Sequence, residues 1–310
     1  MSQPPLDAGR LRLLREVALR GTIAGAARAL GLTASAVSQQ LAVLEREAGT
    51  PLLDRSSRGA VLTGAGRALA ERAAAIAEVL AEARADLDRM AGDVAGQVRL
   101  ATVASAAATM VSSAVLRLRE AHPAVTVRVL TCEPARSLEL LLAGDVDLAL
   151  VDEYDYQPVA LPDHLEVVEL RTEPLVLVTS RDVRVSRGPV ALVDLADADW
   201  VMPPDEAACG LAVRAACRAA GFEPRVGWET DDMLLLVRAV AAGHGVAVLP
   251  ELAVDPSLTD VRVRAVERPA LRRRLVLTAR PASARRPVVA ALSSGLAAAA
   301  GHADGRSVSA

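Results

Sequence analysis

The start of the chain carries apolar residues at helical spacing. Leu11, Leu14 and Val17 recur every three residues, which predicts the buried stripe of a first helix that ends near Gly21. The segment AGAARAL predicts a second, shorter helix. Gly31 follows it directly, at the position where a left-handed C-cap is needed. Two helices joined by a tight turn are therefore expected here.

A third helix and a two-stranded wing are expected next. Thr33 is the predicted N-cap of a helix that runs from Ala34 to about Ala48. After it, the segment PLLDRSSRGAVLTGAG holds two short apolar runs around a polar turn at residues 56–59. Helix, tight turn, helix and wing together predict a winged helix-turn-helix domain over residues 1–65.

From Gly66 the apolar spacing changes to a heptad repeat. Seven positions are separated by alternating steps of four and three residues, a 3.5-residue period that favours the pairing of two helices. The alternative is a helix packed on a globular core, which more often shows a broader apolar stripe. We predict a linker helix over residues 66–92 that pairs in a homodimer. The seam positions are Leu69, Ala73, Ile76, Leu80, Ala83, Leu87 and Met90.

Beyond residue 92, short runs rich in Val and Leu alternate with helical stretches. The predicted strands lie in QVRLATVA, VTVRVLTC, VDLALV, LVLVTS, GVAVLP and RLVLTAR, and predicted helices cover residues 106–121 and 231–242. This alternation predicts an α/β fold with a parallel sheet and right-handed crossovers. Residues 301–310 are predicted to form a disordered tail.

Charge is distributed unevenly along the chain. Residues 1–65 contain eight Arg against five acidic residues, and the remainder contains 27 Arg against 33 acidic residues. A basic first domain on an acidic body is what a nucleic-acid-binding domain joined to a solubilising partner shows. All 35 basic residues are Arg. Phosphate contacts must therefore come from Arg, backbone N–H groups or hydroxyls.

Several classes of protein are disfavoured by the motifs. We expect a cytoplasmic protein, because no signal peptide precedes the first helix and no apolar run is long enough to cross a membrane. The missing export signal also argues against a solute-binding protein. The four histidines are scattered, and no catalytic or nucleotide-binding motif occurs. We therefore expect no enzyme activity, no metal site and no cofactor.

The quoted patterns belong to segments that resemble one family. The segment RGTIAGAARALGLTASAVSQQLAVLEREAGTPLLDRSSRGAVLTGAGRAL resembles, nearly end to end, the winged helix-turn-helix of LysR-type transcriptional regulators. The segments ATVASAAATMVSSAVLRLREAHPAVTVRV, LLAGDVDLALV and VAAGHGVAVLP are similar to parts of that family's effector domain. The resemblance covers about residues 8–300.

The resemblance implies a DNA-binding dimer, often assembled into a homotetramer, whose linker coiled coil joins an effector domain. That domain, over residues 93–300, would resemble periplasmic binding proteins. One lobe would take residues 93–165 and 269–300, and the other residues 166–268. A small effector in the cleft between the lobes would modulate promoter binding or activation.

In such a domain the third helix enters the major groove, so its polar residues meet base edges. Ser35, Ser38 and Gln39 lie at i, i+3 and i+4 and share one face of the helix. Glutamine bonds adenine N6 and N7 in a bidentate manner, and serine donates to or accepts from several bases. These three residues are the predicted base-reading set. The alternative is a helix face that is merely solvated.

Phosphate contacts are assigned to neighbouring elements. Arg55 and Arg58 flank the wing, and Thr22 and Thr33 stand at helix starts, where N–H groups also face anions. Arg28 on the second helix is a further candidate, with a surface salt bridge as the alternative.

The effector cleft is expected where strands end. Ser105 follows a predicted strand and precedes a helix, so it is a candidate for holding a polar group, with an ordinary N-cap as the alternative. The resemblance implies that residues after other strands also line the cleft, at the strand ends where open α/β sheets bind ligands. Acidic residues outnumber Arg136 in these segments, which favours a zwitterionic or cationic effector over a dianion. The residues are Thr131, Cys132, Asp152, Glu153, Met202, Pro204, Thr230 and Asp231.

A thiol-based redox sensor is the alternative function, because some members of this family sense oxidants through a cysteine pair in this region. Cys132, Cys209 and Cys217 show no C-x-x-C spacing, which argues against a disulfide framework or a zinc site. Cys209 and Cys217 lie eight residues apart on one predicted helix. The helical rise between them is about 12 Å, too long for a disulfide.

Overall fold

The computed structural model describes residues 5–56, 59–91, 94–183 and 190–303. Within these ranges only the backbone is described at residues 55, 56, 59, 60, 91, 302 and 303. The chain divides into two compact units, with the boundary after residue 91. In the described residues, no helix has both the length and the apolar character needed to span a bilayer.

The first unit consists of four helices and a β-hairpin. Its elements are α1 (Ala8–Arg20), α2 (Ile23–Leu30), α3 (Ala34–Ala48), β1 (Leu53–Ser56), β2 (Gly59–Leu62) and α4 (Gly64–Ala91). Gly21 and Gly31 end the first two helices with positive φ angles, a conformation that glycine adopts at little cost. Strands β1 and β2 pair antiparallel. The predicted winged helix-turn-helix is confirmed, and α4 begins two residues earlier than expected.

One apolar face anchors α3 in this unit. Val37, Leu41 and Leu44 are buried and belong to a single core that α1 and α2 share. At the other end of α3, the Glu45 carboxylate accepts hydrogen bonds from two backbone N–H groups at the base of the wing, at 2.9 and 3.0 Å. This carboxylate ties α3 to β1, so the helix and the wing keep a fixed relative position.

The heptad positions of α4 fall into two sets. Leu69 is half-buried and Ala73 is buried, because both pack in the core of the first unit. From the third position onward the seam is exposed in the single chain. The exposed fractions of its large side chains are 40% for Ile76, 60% for Leu80, 61% for Leu87 and 83% for Met90. The first two positions thus serve the fold of the chain itself.

The second unit contains ten strands and seven α-helices in its described residues. Its strands are β3 (Gly96–Thr102), β4 (Val125–Thr131), β5 (Leu148–Tyr154), β6 (Glu166–Ser180), β7 (Val190–Ala191), β8 (Asp199–Met202), β9 (Arg225–Glu229), β10 (Ala247–Pro250), β11 (Val261–Arg268) and β12 (Arg272–Ala279). Its helices are α5 (Ala104–Ala106), α6 (Ser112–Ala121), α7 (Pro134–Ala143), α8 (Ala208–Ala219), α9 (Met233–Ala241), α10 (Pro281–Ala284) and α11 (Pro287–Ala303). A π-helical turn, Ala107–Val111, joins α5 to α6.

The main sheet is mixed, and not the parallel sheet that the alternation of strands and helices predicted. Its order is β4-β3-β5-β12-β6-β11-β7, and β10 also pairs with β6. Strand β3 is parallel to β4 and β5, whereas β12 is antiparallel to β5 and β6. Strands β8 and β9 form a separate parallel pair. The alternation of strands and helices did not predict the antiparallel strand, because β12 is distant in sequence from β5 and β6 and inserts between them.

Strand β6 runs through both halves of the second unit. It pairs with β12 from Glu166 to Pro174 and with β10 and β11 from Leu175 to Ser180. One apolar core lies on β3, β5, β12 and α11, and another on β6, β10, α8 and α9. The unit is therefore built as two halves that share β6. The predicted boundary at residue 166 is the first residue of this shared strand, and the pairing changes at Leu175.

Helix α11 closes the described chain. It runs to Ala303, three residues into the segment that was predicted as a tail. The rest of that predicted tail, residues 304–310, lies outside the described residues.

Candidate functional site

The predicted base-reading residues form a polar row near the start of α3. Ser35 and Gln39 are exposed and Ser38 is half-buried. The neighbouring Gln40 has a different environment, because its Oε1 accepts a hydrogen bond from Arg10 Nη1 of α1 at 3.4 Å. Of these two adjacent glutamines, Gln40 contacts its own domain and Gln39 extends the row of serines.

The two predicted phosphate-binding threonines are N-caps. The Thr22 hydroxyl accepts from the N–H of Gly25 at 3.0 Å, and the Thr33 hydroxyl accepts from the N–H of Ala36 at 3.2 Å. A hydroxyl that accepts in this way keeps its own O–H as a donor. Arg28 is exposed on α2. The Arg55 side chain and all of Arg58 lie outside the described residues.

The second unit holds a small cavity where several strands end. Its volume is about 50 Å³, which is room for roughly three to five waters. Both halves of the unit contribute, so a molecule bound here contacts both of them. The lining residues are Val103, Ala104, Ser105, Glu133, Asp152, Tyr154, Ala207, Cys209, Asp231, Met233, Pro250, Ala253 and Arg273.

Arg273 on β12 is the central charged residue of this cavity. Its partners in the sheet register are Tyr154 on β5 and Glu173 on β6, which brings the three side chains to one face of the sheet. The guanidinium donates to Glu173 Oε1 at 2.7 Å, to Ser105 Oγ at 2.8 Å and to Asp152 Oδ2 at 3.3 Å. Arg273 is only 2% exposed, so these are buried, charge-assisted hydrogen bonds.

Asp152 uses only one of its two carboxylate oxygens within the protein. Oδ2 accepts from the Tyr154 hydroxyl at 2.8 Å and from Arg273 Nη1 at 3.3 Å. Oδ1 is buried and accepts no hydrogen bond from any residue that the structure describes. An unsatisfied buried oxygen costs about 1–3 kcal/mol, and more when it is charged. A ligand that donates to Oδ1 would remove this cost.

The protonation states follow from burial and from neighbouring charges. Burial raises the pKa of Glu133, the Ala208 N–H that donates to it lowers this pKa, and Asp152 and Asp231 raise it again, with a net increase. Burial and the Asp152 carboxylate raise the pKa of the Tyr154 phenol well above its ordinary value, so the phenol stays a donor. Burial opposes the charge of Arg273, but its acidic neighbours outweigh burial and raise its pKa.

Three of the predicted cleft residues, Ser105, Asp152 and Asp231, line this cavity. Sequence reasoning missed Arg273 and Glu133, which are the other two charged side chains among the described residues that line the cavity.

The other six predicted cleft residues have different environments. Cys132 Sγ lies 3.2 Å from Ser137 Oγ, beside an apolar core. Glu153 points to the opposite face of β5 from Asp152, where its Oε2 lies 2.7 Å from Arg274 Nη2. Thr131 is exposed at the end of the edge strand β4.

The remaining three lie in the second half of the unit. Met202 is a core residue with 1% exposure. The Pro204 carbonyl oxygen would lie 2.0 Å from a Cβ at Gly210, so this close approach of α8 requires glycine. The Thr230 hydroxyl accepts from the Asp232 N–H at 3.1 Å, which shapes the turn before α9.

Two cysteines lie on α8, as predicted. Cys209 lines the cavity, and both Cys209 and Cys217 are buried. Burial raises the pKa of each thiol to about 12. Thiols with such pKa values are poor nucleophiles at neutral pH, because the thiolate is the reactive form.

Comparison with known proteins assigns a family to both units. The family model of the LysR substrate binding domain matches residues 91–300. The model of the bacterial regulatory helix-turn-helix protein, lysR family, matches residues 9–67. Together the two matches cover the winged domain and nearly all of the second unit.

Individual relatives agree with these matches. The HTH-type transcriptional regulator TfdS of Cupriavidus pinatubonensis is 30% identical over 79% of this chain and 82% of its own length. The HTH-type transcriptional regulator GbpR of Rhizobium radiobacter is 32% identical over 78% and 80%, respectively.

Solved structures share the fold. A full-length OxyR variant from Pseudomonas aeruginosa aligns with a TM-score of 0.71 and 19% identity over 94% of this chain and 95% of that chain. Full-length CbnR complexed with its target DNA aligns with a TM-score of 0.55 and 22% identity over 95% and 100%, respectively.

The winged helix-turn-helix, the long helix α4 and the α/β unit define a DNA-binding transcriptional regulator with an effector-binding domain. This chain belongs to the LysR family. Its relatives are regulators, and it too is a regulator and not an enzyme. The sequence predicted this fold class and function correctly.

Proposed function

We propose that this regulator binds promoter DNA as a homodimer and that a small effector in the cavity of the second unit changes promoter binding or activation. The observation that supports an effector site is the cavity, because its lining residues come from both halves that β6 joins. A ligand shifts a conformational equilibrium only if it binds the two states with different affinity. A site shared by two halves meets this condition, because its shape depends on how the halves are arranged.

Base reading is assigned to Ser35, Ser38 and Gln39. Support comes from their position near the start of α3 and from the exposure of Ser35 and Gln39. Neutral donors and acceptors discriminate bases by geometry. An arginine in the same row would instead be attracted to phosphates regardless of sequence.

Phosphate contacts are assigned to Thr22, Thr33, Arg28, Arg55 and Arg58. The two threonines support this assignment because each hydroxyl retains a donor at a helix start, where the positive end of the helix dipole also attracts anions. These contacts would set the register on DNA and the salt dependence of binding, and not the sequence preference.

Replacing Gln39 with alanine is expected to weaken specific DNA binding by about 1–3 kcal/mol, or roughly 5–150-fold, because a bidentate base contact is lost. The measurement is retention of a labelled fragment of the protein's own upstream intergenic DNA, at moderate salt and with competitor DNA. Non-specific affinity should not change, since no phosphate contact is removed.

Gln40→Ala is the matched control, because Gln40 is the adjacent glutamine and contacts Arg10 instead. Its specific affinity should stay close to that of the unmodified protein. Equal losses in the Gln39 and Gln40 variants would contradict the assigned base-reading face. Absence of specific retention by the unmodified protein would contradict the proposed binding of this upstream DNA.

A homodimer is supported by the apolar seam that α4 exposes between Ile76 and Met90. Two copies of α3 held together would read two half-sites, as symmetric DNA sites require. We further propose assembly into a homotetramer, and action in the cytoplasm, where bacterial promoter DNA lies.

The thiol-sensing alternative is disfavoured by the chemistry of α8. With a pKa of about 12, only about one in 100,000 of the Cys209 or Cys217 thiols is ionised at pH 7. Peroxide treatment at pH 7 should therefore leave both residues unmodified, as read by peptide mass spectrometry. A disulfide between them, or a sulfenic acid on either one, would favour the redox function instead.

A further inference from the structure

We propose that the cavity of the second unit binds the ammonium group of a small organic cation. This inference rests on the effector function proposed above and names the chemical class of the effector. It depends on the charge of the lining, on one unsatisfied oxygen and on the size of the cavity.

The lining carries more negative than positive charge. Glu133, Asp152 and Asp231 contribute carboxylates, and Arg273 is the only basic side chain among the described residues that line the cavity. Arg273 is also bonded to Glu173, which is 1% exposed and lies beside it in the sheet. The guanidinium charge is therefore shared with Glu173, and an incoming anion would meet a net negative surface.

The hydrogen bonds that the described residues make around Asp152 leave one of its oxygens without a donor. Arg273 and Tyr154 already donate to Asp152 Oδ2, whereas the buried Oδ1 has no donor among the described residues. A ligand with N–H groups satisfies Oδ1 and brings a positive charge to the same point. A charge-assisted hydrogen bond of this kind is roughly twice as strong as a neutral one.

Size and geometry narrow the class of cation. Among the described residues, no three His, Cys, Asp or Glu side chains are arranged to hold a metal ion. The volume of about 50 Å³ admits a group of roughly three to five non-hydrogen atoms. A primary ammonium on a short carbon chain fits both limits, and a larger ligand would need the two halves to separate.

Protonation of Glu133 should be linked to binding. Burial raises its pKa above the ordinary 4.5, the Ala208 N–H lowers it, and Asp152 and Asp231 raise it again, with a net increase. A bound ammonium would favour the ionised carboxylate. Affinity should therefore rise, with proton release, as pH increases through the raised pKa of Glu133. The other titratable groups that line the cavity are Tyr154, Cys209 and Arg273.

The test uses the full chain and three probes at equal ionic strength. Propylammonium chloride carries the ammonium, tetramethylammonium chloride is a cation without N–H donors, and sodium propionate is an anion of similar size. Thermal unfolding is followed as each probe concentration rises. A saturable increase in melting temperature is expected with propylammonium alone, because only a ligand of the folded state stabilises it.

Two variants locate the binding site. Asp152→Asn should weaken propylammonium binding by at least about tenfold, because the carboxylate charge is lost and the amide offers an NH₂ donor in place of one acceptor oxygen. Asp231→Asn should weaken it as well, at an exposed residue where folding is not at risk. Asp232→Asn is the matched control, because Asp232 is the adjacent acid, caps α9 and does not line the cavity.

Several outcomes would overturn this inference. They are stabilisation by propionate instead of propylammonium, equal stabilisation by both cations, equal losses in Asp231→Asn and Asp232→Asn, or no shift with any probe. Each leaves the Gln39 and Gln40 comparison on DNA untouched. A failure of the ligand class is therefore distinguishable from a failure of the regulator function.

Discussion

Replacing Arg273 with methionine is expected to lower the free energy of unfolding of the second unit by about 3–5 kcal/mol, because removing one member of a buried ion cluster leaves its partners uncompensated. Glu173 is fully buried at its side chain, and Asp152 is 4% exposed. Methionine fills much of the same volume but offers no donor. Both carboxylates would then remain buried in a low-dielectric interior without the guanidinium that pairs with them.

Calorimetry of the full chain measures this loss. For a unit of this size, the expected fall in the melting temperature of the transition is roughly 6–20 °C. Arg274→Met is the matched control, since Arg274 is the next residue, points to the other face of β12 and is 52% exposed at its side chain in its pair with Glu153. The Glu153 side chain is 10% exposed, but the Arg274 guanidinium lies in solvent, so the loss should be smaller than for Arg273, whose whole cluster is buried.

A compensating variant distinguishes lost charge from lost packing. Adding Glu173→Gln to Arg273→Met removes one uncompensated charge, and the glutamine oxygen can still accept from the Leu252 N–H that now lies 2.9 Å from Glu173 Oε2. The double variant should be more stable than Arg273→Met alone. Equal destabilisation in the Arg273 and Arg274 variants, or no recovery in the double variant, would contradict the charge argument.

The winged domain was predictable because its signals are local. Thr22, Gly31 and Thr33 each act within three or four residues of their own position, as caps of adjacent helices. The buried residues Val37 and Leu41 of α3 follow from helical spacing alone. These caps and buried positions do not depend on distant parts of the chain, so the sequence pattern and the structure agree in the winged domain.

The cavity was predictable only in part, because its contacts are far apart in sequence. Arg273 lies 168 residues from Ser105, 121 from Asp152 and 100 from Glu173. These contacts depend on β12 entering the sheet between β5 and β6, and no spacing rule gives that register. One signal was present at Asp152, because it directly follows the apolar run LALV in β5, and a charge in such a strand is rarely buried without a partner.

The heptad spacing could be recognised in the sequence. Which seam positions of α4 pack inside the chain and which stay exposed could not. Periodicity treats Leu69 and Ala73 like the later positions, whereas the structure packs them into the core of the first unit. The start of α4 packs on the core of its own unit, and the rest of its seam is left for the proposed contact with a second chain. Only the positions from Ile76 onward are available to a second chain.

Replacing Leu80 with aspartate is therefore expected to disrupt the proposed dimer. Leu80 is 60% exposed in the single chain and lies between Ile76 and Leu87 in the seam, where two copies would bring two aspartates together without a counter-charge. Sedimentation equilibrium should show a lower state of association than that of the unmodified protein, because chains that no longer pair through α4 separate. Specific DNA retention should fall by about 10²–10⁴-fold, because two linked heads gain that much from binding two half-sites at once.

Ala75→Asp is the control for this change. Ala75 is exposed on the same helix but lies outside the seam, so it adds the same charge and a similar loss of helix propensity without entering the pairing surface. Its assembly and DNA retention should stay close to those of the unmodified protein. If the Leu80 variant stayed dimeric, or if both variants dissociated alike, the exposed apolar row of α4 would not be the surface that joins two chains. The pairing of two α3 helices would then need a different contact.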